Sequence, residues 1–303
     1  MRRFAPYLII FAALLWSLDG LLRRNLYSLP PETIVFLEHV IGFVVLSPFL
    51  FREVKKWLKF SKKTWLSVIA IALFGGAIGT IAYTSALGRV NYINFSVVVL
   101  LQQLQPIFAI ALAGILLREK ITKQFVGLAV IAIIAAYFVS FPELRVNLAT
   151  GSGTVIAALL AVTAAFSWGI STVLGRYALG KMSFVSLSGL RFLLTSVITF
   201  LFLASTSKVA TLGALTSTQW WYVLAIVFST GLVALLIYYR GLSHVPARIS
   251  TLLEMFWPVS AIAIDWIFFK NTLSVTQWIG AIVLLGVIFK ISRQFVTKEE
   301  RVL

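Results

Sequence analysis

Ten apolar blocks follow one another along this chain, at roughly 5–22, 32–51, 65–87, 93–117, 125–141, 154–175, 184–203, 221–239, 249–269 and 276–292. Each is near the about twenty residues that a helix needs to cross a bilayer. Hydrocarbon offers no partner to backbone N–H and C=O groups, so such segments close their own hydrogen bonds as helices. They are too long and too uniform for the strands of a membrane barrel. Turn and charge signals mark the joints. "SLPPET" follows the first block, and Pro30-Pro31 cannot continue a helix. "REVKKWLKFSKKT" follows the second, and "FPELRVNLATGSG" after the fifth is the expected mid-chain hinge. The pattern predicts an all-α polytopic membrane protein with ten transmembrane helices.

Composition agrees. Of 303 residues, 60% are hydrophobic and 12% charged, against about 25% charged in soluble domains. There is no cysteine, which excludes disulfides and Cys-based metal sites. A net charge of +16 would suggest nucleic acid in a soluble protein. Here the basic residues lie between apolar blocks, so membrane lipid headgroups are the expected partner, and no basic face with interleaved aromatics argues for nucleic acid. The start, "MRRFAPYLIIFAALLWSLDG", has the basic and apolar parts of a signal peptide. It lacks a small-x-small cleavage site, with Trp16 and Asp19 in its place, and reads as the first membrane helix.

Lys and Arg orient the chain. With the N-terminus inside, the inner segments hold nineteen of the 26 basic residues and the outer segments six, while Arg191 falls within a span. The bias predicts an integral protein of the inner or plasma membrane with both termini cytoplasmic.

One stretch departs from plain hydrophobicity: "LLQQLQPIFAIAL", residues 100–112, has a counterpart in "TLLEMFWPVSAIAI", residues 251–264. Superposing Pro106 on Pro258 gives an offset of 152, which also carries Gln102 to Glu254, Gln105 to Trp257 and Trp16 to Trp168. "SALGRV" and "YYRGLSHV" match at 153. The chain therefore reads as two five-helix repeats, 1–145 and 146–303. An odd number of spans per repeat makes the second enter from the opposite face, an inverted repeat with a binding site expected near the midplane. At helical spacing Gln102, Gln105 and Pro106 share one face, with Gln103 at its margin. Proline removes a backbone hydrogen bond, leaving a carbonyl that must meet protein or water. A polar, kinked face on both equivalent helices suggests a cavity between the halves, with Pro106 and Pro258 as hinges. The structural alternative is that the glutamines only join helices.

Ten spans in inverted fives, a tryptophan in the first helix of each half and a proline midway along the fourth and ninth resemble the drug/metabolite transporter superfamily, EamA type. "PIFAIALAGILLREKITKQFVGLAVI" is similar to the end of a repeat in that family, with Pro106, a turn glutamate at Glu119 and Gly127 in the fifth helix. The second copy keeps Pro258 and Gly280 but has Asn271 where Glu119 stands. The resemblance implies transport of small metabolites, often export, and names no substrate. Glu119, between Arg118 and Lys120, reads as a solvated turn residue.

Few ionisable residues fall within the spans: Asp19, Glu38, His39, Arg191, Glu254 and Asp265. Intramembrane charges default to functional sites. Glu254 is the leading substrate or proton site, weighed against a carboxyl that only fixes packing. Asp265 and Asp19 lie toward the outer end, and Asp19 beside Arg23 reads as an interfacial ion pair. His39 maps onto Arg191 at the same offset, and Arg191 and Glu38 are placed to gate, to bind a carboxylate or to join helices. Trp16, Trp168, Tyr83, Tyr238 and Trp257 are expected along the path, Trp257 most of all because it adjoins Pro258.

The expected function is secondary transport by alternating access of a small-molecule substrate. An amino-acid-like or other neutral or zwitterionic solute is expected, with export as the expected direction, binding Glu254, Gln102, Gln105, Trp257, Trp16, Trp168, Tyr83 and Arg191. Proton coupling through Glu254 is open, as are coupling ion and oligomeric state. A lipid-linked sugar flippase and a non-transporting scaffold are the alternatives. His39 and His244 are poor material for metal or triad chemistry, and no Gly-x-Ser-x-Gly elbow occurs, so neither an enzyme nor a metal or cofactor is expected.

Overall fold

A computed structural model describes the chain except residues 1, 90–97, 99–100, 141–151, 270–273 and 301–303. The expected hinge, the 145/146 boundary, the start of the fourth block and Arg145, Lys270, Asn271 and Arg301 therefore lie outside the described residues. The described chain is helical throughout, in the expected order. We number the spans α1 (Ala5–Trp16, extended by Asp19–Arg23), α2 (Pro31–Leu50), α3 (Lys62–Leu87), α4 (Gln105–Leu116), α5 (Lys123–Ser140), α6 (Ser152–Leu179), α7 (Phe184–Ser205), α8 (Ser217–Leu242), α9 (Ala247–Leu253 and Phe256–Phe269) and α10 (Val275–Glu300). Among the described residues, seven are long and apolar enough to cross a membrane. The other three are α4, α5 and α9: α9 is broken at Glu254–Met255, α4 begins after a turn at Gln103–Leu104, and α5 is short.

Local chemistry sets the starts. Pro30 holds an extended backbone (φ −57°, ψ 136°), and Pro31 opens α2 where no N–H is needed. Ser61 and Ser183 accept backbone N–H bonds at the heads of α3 and α7. Thr216 and Gln219 close a reciprocal capping box on α8. Pro106 and Pro258 follow the breaks in α4 and α9 by two and three residues, so the expected kinks are full interruptions at equivalent places. Two more interruptions are invisible to hydropathy. The third helix of each half loosens into π-helix, at Ile71–Ile78 in α3 and Val227–Gly231 in α8, a geometry common at functional sites.

The halves interlock by exchange. Helix α1 packs on α8 and on the second part of α9, while α6 packs on α3 and α4; α2 pairs with α7, and α5 with α10. The first helix of each half thus lies against the third and fourth helices of the other. Large apolar side chains face outward, among them Phe49, Ile115, Leu159, Leu201 and Ile282, as lipid contact requires. The inner seam uses small residues. At Gly280 in α10 a Cβ would lie 2.7 Å from Phe138 Cβ and 2.8 Å from the Ala135 carbonyl oxygen of α5. At Gly286 nothing lies within 4 Å. Gly280→Ala is therefore expected to cost about 1–3 kcal/mol through overpacking, while Gly286→Ala on the same helix is neutral or stabilising. Thermal melts of the two purified variants in detergent measure the difference.

Candidate functional site

A cavity of about 150 Å³ lies between the halves. Its walls come from α1, α2, α3, α4, α6, α7, α8 and α9. Every residue expected to bind substrate lines it: Trp16, Tyr83, Gln102, Gln105, Trp168, Arg191, Glu254 and Trp257, with Pro106 but not Pro258.

Two aromatic couples frame this space. Trp16 of α1 tilts onto Tyr238 of α8, with centroids 5.1 Å apart and planes at 57°. Trp168 of α6 tilts onto Tyr83 of α3, at 5.2 Å and 56°. Each couple joins the first helix of one half to the third helix of the other, and the two are nearly the same in geometry. Trp257 meets Tyr83 edge-on at 6.4 Å. These contacts carry a modest favourable energy beyond burial, and all five rings line the cavity.

The polar groups differ between the halves. Glu254, at the break in α9, accepts hydrogen bonds from Tyr238 OH (2.7 Å), Ser250 Oγ (3.1 Å) and Gln105 Nε2 (2.8 Å). It thereby ties α4 to α9 and α8. Its counterpart Gln102 donates from Nε2 to the Ala161 carbonyl (3.1 Å) and leaves Oε1 buried without a partner among the described residues. Arg191 donates from Nη1 to Tyr239 OH (3.0 Å) and from Nη2 to the Gly75 carbonyl (2.8 Å). That carbonyl, turned out by the π segment of α3, also accepts from Trp168 Nε1 and Thr80 Oγ1, both at 3.2 Å. Arg191 Nε and Thr251 Oγ1 likewise lack partners among the described residues. Unpaired buried polar atoms are costly, and three cavity-lining residues carry one.

Two sequence expectations are corrected. Asp19 and Arg23 do pair, but not at the interface: Arg23 is 3% exposed and sits inside the bundle. Its Nη2 also binds Glu38 Oε2 at 2.7 Å, its Nη1 reaches Thr84 Oγ1 at 3.3 Å, and Asp19 Oδ1 accepts from Thr230 Oγ1 of the second half at 2.6 Å. All but Thr84 line the cavity. The i, i+3, i+7 spacing of Trp16, Asp19 and Arg23 placed them on one face; nothing in the sequence showed that Glu38 would meet them there. Glu119 is not a solvated turn residue. Its Oε1 and Oε2 accept from the backbone N–H groups of Ala247 (2.8 Å) and Arg248 (3.1 Å), capping the first turn of α9 across the two halves. The ordinary positive end of a helix explains the choice of a carboxylate.

His39 packs on Phe192 at 5.3 Å and is held by its Nδ1–H to the Val35 carbonyl, 2.8 Å away. The side chain of Asp265 lies outside the described residues. Thr80, Ser171, Thr172, Thr230, Thr251 and Met255 also line the cavity without having been singled out in the sequence; small hydroxyls on apolar helices carry no distinguishing pattern. Among the described residues no three His, Asp or Glu side chains gather as a metal site would require. Outside the spans, Glu53 accepts from Lys56 Nζ (2.9 Å) and Ser183 Oγ (3.0 Å), and the Lys56 bond holds its carboxyl below the usual range.

Comparison with known proteins decides the family. The description of EamA-like transporters fits twice, over residues 3–141 and 155–293. This chain belongs to the EamA-like transporter family. It is an integral membrane transporter of a small-molecule substrate, not an enzyme, built as two inverted five-helix repeats. It is 35% identical over 289 residues to the riboflavin transporter ImpX of Fusobacterium nucleatum, covering 94% of this chain and 96% of that protein. It is 26% identical to an uncharacterised transporter of Methanothermobacter thermautotrophicus, covering 95% of this chain and 86% of the other. A solved crystal structure superimposes with a TM-score of 0.76 at 18% identity over 99% of this chain and 100% of that one, which speaks to the fold alone.

The Glu119 cap yields a measurable expectation. Glu119→Ala removes two bonds to helix N–H groups and is expected to lower stability by about 1–2 kcal/mol, with Glu119→Asp recovering part of it. Unfolding of the purified variants in detergent is the measurement.

Proposed function

We propose that this EamA-like transporter carries a flavin, riboflavin or a close analogue, by alternating access around the central cavity. The observation that carries the reading is the union, in one cavity, of two flat Trp–Tyr couples with glutamine amides and unpartnered hydrogen-bonding atoms. Riboflavin has a planar tricyclic ring, and its edge offers a carbonyl, an N–H and a second carbonyl in a row. The ring suits stacking against Trp16, Tyr83, Trp168 and Trp257. The edge suits Gln102 Oε1 as acceptor, with Thr251 and Arg191 as donors. The full-length relative named for riboflavin supports the same solute.

The amino-acid-like solute expected from the sequence fits less well. A small zwitterion needs a free anion and a free cation at short range. Glu254 already has three donors, and both Nη atoms of Arg191 are engaged. A neutral planar solute asks for neither. Direction then follows the solute gradient and any coupled ion.

Quenching of riboflavin fluorescence on titration with the purified protein tests the reading directly. Trp168→Ala is expected to weaken binding about tenfold, the scale of one lost aromatic contact with its buried area. Glu254→Gln keeps the shape but removes an acceptor from the α4–α9 tie. It is expected to slow transport in proteoliposomes while the melting temperature holds. No quenching by the wild-type protein, or wild-type binding and transport by both variants, defeats the proposal.

The orientation proposed from the basic bias places both termini and the Arg52–Thr64 loop in the cytoplasm. An impermeant thiol reagent added outside intact cells is then expected to label Ala210→Cys, between α7 and α8, and to spare Lys59→Cys. The reverse labelling pattern inverts the topology.

A further inference from the structure

Among the side chains inside the bundle, the cluster of Asp19, Arg23 and Glu38 has an imbalance that packing does not explain. Two carboxylates surround one guanidinium. Of the four carboxylate oxygens, Asp19 Oδ2 and Glu38 Oε2 accept from Arg23, and Asp19 Oδ1 accepts from Thr230. The fourth, Glu38 Oε1, accepts no hydrogen bond from any described residue, although Glu38 is 7% exposed and lines the cavity. Gly231 of α8 lets the backbone approach this carboxylate closely, since a Cβ there would fall 3.1 Å from Glu38 Oε1. A carboxylate oxygen that opens on the cavity and has no donor among the described residues can accept one from a ligand.

The cluster's position fits a particular donor. Asp19 lies three residues beyond Trp16, about 4.5 Å of helical rise. Thr84 adjoins Tyr83, and Glu38 adjoins His39. The cluster and the aromatic couples line the same cavity. The cluster offers one free carboxylate oxygen, held in place by a guanidinium whose three nitrogens are all engaged, and a hydroxyl group is a donor that suits it. We propose that Asp19, Arg23 and Glu38 form a polyol subsite: they hold the hydroxylated side chain of the substrate while its ring lies among Trp16, Tyr83, Trp168 and Trp257. This rests on the flavin reading and adds an orientation to it, with the five-carbon ribityl chain at the cluster and the imide edge toward the glutamines. A cluster that only staples α1 to α2 and α8 would have no reason to keep a free oxygen on the cavity side.

Lumiflavin, which has the same ring with a methyl group in place of the ribityl chain, separates the two ends. In detergent, fluorescence titration of the wild-type full-length protein is expected to show both ligands bound, riboflavin more tightly. Glu38→Gln replaces a charge-assisted hydrogen bond by a neutral one and is expected to weaken riboflavin about fivefold; Glu38→Ala is expected to weaken it about tenfold or more. Lumiflavin should keep its wild-type affinity in both, which also shows that the variants are folded. Should Glu38→Ala fail to fold, Glu38→Gln decides alone, and if that also fails, Glu38→Asp, which keeps the charge beside Arg23 but draws the oxygen back from the cavity, takes its place. Equal losses for both ligands, or undiminished riboflavin binding, overturn the polyol subsite and leave the flavin reading standing. Absence of binding of either ligand by the wild-type protein removes the flavin reading itself.

Discussion

Hydrocarbon pairs with no polar group, so every charge and every interrupted backbone turn inside this bundle must be answered from within the protein. That constraint orders the rest. The breaks at Gln103–Leu104 and Glu254–Met255 and the π segment of α8 place residues on the cavity wall, and the π segment of α3 binds the cavity-lining Arg191 and Trp168 through its Gly75 carbonyl. The Gly75 carbonyl illustrates the outcome: freed by the π segment, it accepts from Arg191, Trp168 and Thr80. A glycine is required there because a Cβ would lie 2.1 Å from Ser171 Oγ. Local irregularity and side-chain chemistry are thus one feature. Where the helix loosens, a cation from the other half is fixed.

Duplication supplied the frame and divergence supplied the chemistry. The two Trp–Tyr couples have kept nearly the same separation and tilt, so the internal symmetry survives where flat surfaces are wanted. Polar positions have not been kept. Gln102 stands where Glu254 stands in the second half, His39 where Arg191 does, and Glu119 where Asn271 does. A symmetric cavity would bind a symmetric ligand. One carboxylate facing one amide, and a cation facing an imidazole, make a cavity with two distinguishable ends.

Much of this was legible before any coordinates. Hydropathy alone placed ten helices, because lipid imposes a length and a uniform surface on each. The repeat was legible because Trp16, Gln102 and Pro106 recur at one offset, and those same residues line the cavity. Partners were not legible. Asp19 and Arg23 looked interfacial because a pair four residues apart near a helix end normally reaches water; α2 and α8 close over them instead. Glu119 looked solvated because its sequence neighbours are charged. Its true neighbour is the first turn of α9, 128 residues away. Sequence distance hides such contacts, whereas periodicity reveals only which residues share a face.

The polar ties between the halves fall into two kinds, and the difference bears on movement. Near the ends lie Glu32 with Lys208 (2.5 Å), Ser28 with Gln219 (2.9 Å) and Glu53 with Ser183 (3.0 Å). Water can replace each of these partners, so their net worth is small and parting them is cheap. Around the cavity, Thr230 with Asp19 is buried, and Arg191 with Gly75 and Gln105 with Glu254 are partly buried. Parting them without a substitute strands buried polar atoms. A solute whose own donors and acceptors take up those atoms removes that penalty at the centre, while water removes it at either end. Under the transport reading, the rims set which side opens and the cavity sets which solute permits the change.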